Sequence, residues 1–207
     1  MNTIQEKVIT PYLLEDSLSP VEYIAFHTQL VKEGKSTWIP DTKLFQHYTM
    51  LNLQRFKRVR KTQMLSVELI EAVQKIEREQ VWLIIAETWC GDVAQNLPLI
   101  FETATHNPKV SVRIVFRDKH PHVMDAYLTN GSRAIPKLIV LDKETLHELG
   151  VWGPRPLPAQ KMMIDYKKNP TMEYMEFLKV LQQWYNKDKG KHLCQELTEL
   201  LHMTTSG

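Results

Sequence analysis

Cysteine is scarce in this chain, with only Cys90 and Cys194 among 207 residues. Two thiols cannot staple a disulfide scaffold, and so few suit a reducing compartment. An excess of charge of one sign is missing too: the net charge of +2 gives no electrostatic case for a nucleic-acid or membrane partner. Long apolar runs are absent, the longest, Val81 to Ala86, being far short of the roughly 20 residues a membrane span needs. The N-terminal MNTIQEKVITPYLLEDS has neither the basic stretch nor the apolar run of a signal peptide. No internal repeat or low-complexity segment interrupts an otherwise ordinary globular composition. The expectation is a cytoplasmic globular protein.

What is present is Trp89-Cys90-Gly91-Asp92-Val93, a thiol-redox motif with one sulfur missing. A dithiol oxidoreductase uses one cysteine to attack a disulfide and a second, three residues on, to resolve the mixed intermediate. The resolving position here is Val93.

The surrounding chain reads as a helical leader, an α/β centre and a helical tail. Ser19-Pro20 opens a helix with Tyr23, Phe26, Leu30 and Val31 inward and Gly34 as its stop. A second helix follows Pro40-Asp41-Thr42, with Leu44, Tyr48, Leu51, Arg55 and Val59 on one stripe. A third starts at Ser66 and turns Leu69, Ile70, Val73 and Ile76 inward. Val81 to Ala86 has the continuous apolar character of a strand buried on both faces. A helix from about Asp92 to Thr105, a strand over Val110 to Phe116 and a short helix from Pro121 follow. Two strands, Lys137 to Leu141 and Thr145 to Val151, share a turn at Asp142-Lys143-Glu144. This order implies a mixed central sheet flanked by helices. Helical spacing returns over Met172 to Tyr185 and again from Leu193 to Leu201. The expected divisions are an N-terminal extension over 1–65, an α/β domain over 66–186 and a tail over 187–207.

Trp-Cys-Gly leaving a buried strand, with Ala134-Ile135-Pro136 immediately before a later strand and Pro136 lying 46 positions beyond Cys90, resembles the thioredoxin fold. The resemblance covers roughly residues 66 to 186. The stretches ETWCGDVAQNLP, YLTNGSRAIPKLIVLD, WGPRP and WYNKDKG resemble more specifically a bacterial family of thioredoxin-like proteins with a helical N-terminal extension. The resemblance implies that Pro136 is cis and packs against the active-site cysteine. It also marks two departures: Val93 replaces the resolving cysteine, and Ile84 stands where thioredoxins keep a buried acid. Both losses fall on the resolving step and leave the attacking thiol.

Cys90 is therefore the candidate catalytic residue, with Trp89, Gly91, Asp92 and Val93 as its motif and Arg133, Ile135 and Pro136 as a substrate-binding loop. A helix N-terminus beside Cys90 favours the thiolate and Asp92 disfavours it, while Arg133 is expected near the sulfur to offset Asp92. The thiol is expected to be exposed and moderately activated. A mixed disulfide at Cys90 then needs an external thiol, so the partners are a disulfide-bearing protein or a low-molecular-weight thiol. Arg133, Lys137 and the backbone at Pro136 are the candidate donors for that thiol's carboxylates, with a sheet edge there able to pair with an extended peptide.

Other signals have plainer readings. Cys194 is a lone side chain on a terminal helix, His120-Pro121-His122 lacks further ligands for a metal, and no cofactor is expected. The basic run from Arg55 to Lys61 suits a solvated helix end. Trp152-Gly153-Pro154-Arg155-Pro156 is a fixed crossover, in which Arg155 could anchor a carboxylate. The other class of function is a redox-inactive thioredoxin-fold binding or scaffold module.

Overall fold

The structure, a computed structural model, describes residues 8–205. The N-terminal stretch read for a targeting signal therefore lies in part, over residues 1–7, outside the described residues, as do 206 and 207 of the tail. No described helix is long and apolar enough to cross a membrane.

The frame is a four-stranded mixed sheet in the order β2-β1-β3-β4. Strand β1 (Gln80–Ala86) is buried at all seven positions, as its unbroken apolar run requires. It pairs in parallel with β2 (Val110–Phe116) and antiparallel with β3 (Lys137–Asp142), setting Ile84 between Ile114 and Leu138. Strand β4 (Glu148–Trp152) completes the sheet beside β3 and is shorter than expected, because Leu146 takes positive φ inside the turn. This is the expected mixed sheet, with β3 in its interior, so no free strand edge lies along 137–142 for a peptide to join.

Helices cover both faces. α1 (Pro11–Glu15), α2 (Pro20–Glu33) and α3 (Lys43–Thr62) form the leader. The Ser19–Glu22 capping box starts α2 and Gly34, at φ 63°, ends it. Tyr23 and Phe26 pack their rings against Phe116, while Leu18 bridges Ile114 and covers the outer edge of β2. The leader thus shares one apolar core with the sheet. On α3 the buried stripe is Thr49, Asn52, Leu53, Phe56 and Val59, so the expected stripe through Leu44 and Leu51 is displaced around the helix, and Leu44 is exposed. The cause is that Thr49 and Asn52 are buried for their polar groups, which an apolar periodicity does not count.

α4 (Val67–Gln74) precedes β1, α5 (Gly91–Thr105) follows it, and α6 (Pro121–Ala126) lies between β2 and β3. α9 (Lys191–Thr205) packs on α4 and β4, with Leu200 filling the space beside Gly150. Between β4 and α9 the chain makes a hairpin of α7 (Leu157–Lys168) and α8 (Tyr174–Asp188). Its buried residues Ala159, Met163, Phe177, Leu181 and Tyr185 form a separate apolar cluster. α7 and α1 are absent from the sequence reading.

Candidate functional site

β1 ends at Ala86, and the turn Glu87-Thr88-Trp89 delivers Cys90 to the N-cap of α5. The backbone N–H groups of Asp92 and Val93 reach toward the sulfur and favour its thiolate. Across the site the Ile135–Pro136 peptide is cis, and the Cys90 thiol donates to the Ile135 carbonyl at 3.5 Å. The motif and the Pro136 segment therefore meet as the resemblance implies.

Exposure does not follow. Cys90 is only 9% exposed. Burial first, and the Asp92 carboxylate second, push its thiol up to about 12, outweighing the N–H groups and Arg155. The expected exposure and moderate activation therefore do not follow, because the sulfur is buried against the Ile135 carbonyl with the Asp92 carboxylate nearby.

Arg133 does not offset Asp92. Its guanidinium faces outward, held by both oxygens of Asp125 at 2.6 Å. The cation that answers Asp92 is Arg155, at 2.7 Å in a largely buried ion pair. Tyr185 donates to the other Asp92 oxygen at 2.8 Å, and Asn96 donates to both the Asp92 carbonyl and the Tyr185 hydroxyl. Lys137 is buried, which lowers its pKa, and it donates to the Gly153 carbonyl. Val93 is buried in the core behind the motif. Gly91 is closely faced by the side chains of Gln182 and Arg55, leaving little room for a Cβ.

The leader supplies a wall that the sequence reading missed. Trp38 stacks on Phe45, both rings meet Trp89 edge-on, and Arg117 lies 4.7 Å over Trp89. Beneath them Thr37, Thr49 and Thr88 share hydroxyl contacts, Asn52 donates to the Thr88 carbonyl, and His27 donates to the Thr49 carbonyl. Glu87, fully buried, accepts from the Asp118 N–H at 3.0 Å, and burial raises its carboxyl to about 7. A carboxyl directly after an apolar strand was the available signal for Glu87. Ile84, which stands where the resemblance implies a buried acid, is core.

Cys194 is 3% exposed within the main core, which separates it from any exchange at Cys90. His120 lies 3.7 Å from Asp16, and no described group of three or more side chains could hold a metal ion.

A thioredoxin family model matches residues 39–168, more than half of the chain. The chain belongs to the thioredoxin family. Among solved structures it is similar to a protein of unknown function from Pseudomonas aeruginosa, with a TM-score of 0.56 and 21% identity over 89% of this chain and 98% of that one. It is also similar to an HIV epitope scaffold, with a TM-score of 0.53 and 21% identity over 84% and 96% of the two chains. These likenesses concern the fold alone. No curated protein matches the chain. The family match begins ahead of α3, so within this thioredoxin-family chain Phe45 and Trp89 of the aromatic wall lie inside the matched region and Trp38 lies one residue before it.

Proposed function

We propose that the chain is a cytoplasmic monothiol of the thioredoxin family that exchanges disulfides through Cys90. The observation carrying this reading is the Cys90 thiol at the N-cap of α5, 3.5 Å from the Ile135 carbonyl beside Pro136. The Cys90 thiolate attacks a mixed disulfide, forming a new disulfide with one sulfur while the other leaves as thiolate. An external low-molecular-weight thiol then attacks the Cys90 adduct, regenerating the Cys90 thiolate and carrying away the disulfide. Val93 has no sulfur with which to resolve the adduct internally, and both cysteines of the chain are free.

A second reading, a redox-silent binding module, is favoured by the burial of Cys90 and the thiol pushed up to about 12. Incubation with oxidised glutathione followed by intact-protein and peptide mass spectrometry separates the two. Exchange requires a mixed disulfide on Cys90 that is lost in Cys90→Ser and reversed by added thiol. A Cys90 that stays unmodified while the protein is folded supports the silent module instead.

A further inference from the structure

Two glycines are pinned to the core at the ends of the segment that encloses Cys90. A Cβ on Gly153 would overlap the Pro136 carbonyl oxygen, and one on Gly190 would overlap Leu99. Glu196 of α9 holds the near end of α7 in place by accepting from the Leu157 N–H at 2.6 Å. Beyond these anchors, α7 and α8 carry their own apolar cluster, separate from the main core. Side-chain hydrogen bonds join them to the rest of the site: Tyr185 with Asp92 and Asn96, Gln182 with Gln95 at 2.7 Å, and the Tyr48 hydroxyl with the Met175 sulfur at 3.1 Å. Because the two clusters are separate, parting the hairpin from the site need not break the main core.

The closed contact is also incompletely satisfied. The Arg155 Nε and the Gln95 Oε1 are buried without a hydrogen-bond partner. Water would satisfy both on opening, which offsets part of the loss of the direct bonds. The hairpin tip, residues 169–176, is exposed throughout.

We propose that α7 and α8 form a lid over Cys90, latched by Tyr185 and Gln182, which swings from the pinned ends at Gly153 and Gly190 to admit a disulfide. This rests on the exchange reading for its purpose, but not for its test. Local opening would make Cys90 accessible without unfolding the core, and Cys194, buried inside that core, reports global unfolding in the same molecule.

The experiment is alkylation of the full chain with iodoacetamide, each cysteine followed separately by peptide mass spectrometry, in the wild type and in Gln182→Ala. Gln182 is partly exposed and does not contact Asp92, so its loss weakens the latch and leaves the ion pair intact. Cys90 is expected to react faster than Cys194, and Gln182→Ala to accelerate Cys90 about fivefold to tenfold with Cys194 unchanged. Hydrogen exchange adds a second measurement, with α8 amides exchanging before those of β1. Equal rates at the two cysteines, or a Cys90 rate indifferent to Gln182→Ala, overturn the lid. A lid that opens over a Cys90 that never exchanges a disulfide would leave the lid standing and defeat the exchange reading alone.

Discussion

Cys90 and Glu87 are three residues apart and both are raised for the same reason, burial of the turn after β1: the thiol to about 12 and the carboxyl to about 7. Glu87 is faced by the Asp118 N–H, Thr37, Arg117 and Tyr23. Its folded pKa of about 7 exceeds the ordinary 4.5, so the folded state holds this proton more tightly, and stability falls as pH rises from 4.5 to 7. His27 does the opposite. Burial lowers it from 6.5 to about 4, so the unfolded state takes its proton first, and stability is lost as pH falls through that window. The two slopes oppose each other over most of the same range. Glu87→Gln is expected to stabilise the protein by about 1–3 kcal/mol at about pH 8, with the gain vanishing near pH 4.5. It should also uncover the His27 slope. Urea unfolding across that range checks it, and equal stabilities at high pH would remove the buried charge from the account. Cys90, Asp92 and the Ile135–Pro136 segment were legible in the sequence because motif and spacing carry them. Glu87, His27 and Thr49 were not, because a polar residue inside a core leaves no periodic trace.

Among the elements, the strands and the helices α2, α4 and α5 follow from apolar patterning and caps. α7 escaped notice because it buries little beyond Ala159 and Met163 and has no side-chain N-cap bond, only prolines at its start. The displaced face of α3 has the same origin as the missed polar cluster, since Thr49 and Asn52 face inward to hold the turn before Cys90. The crossover starts at Gly153, whose backbone is constrained. It takes φ of 115° with the Pro136 carbonyl against the place where a Cβ would stand. Gly153→Ala should therefore cost about 2–3 kcal/mol of stability by chemical denaturation. An alanine there without measurable cost would contradict the close approach.

At the scale of the molecule, the leader, the sheet and α9 bury one continuous core, while the α7–α8 hairpin keeps a small core of its own. That difference was hidden from sequence, where nearly all of the hairpin fell inside the α/β domain expected over 66–186. Its consequence is that the leader builds a fixed wall of the site and the hairpin its cover. The proposed chemistry rests on a single thiol, Cys90. Turnover of a glutathionylated peptide, with reduced glutathione as the external thiol, tests it most directly against the Cys90→Ser variant. Peptide reduction is expected to require Cys90, rise with glutathione concentration and persist in Cys194→Ser. Equal rates for wild type and Cys90→Ser would contradict it.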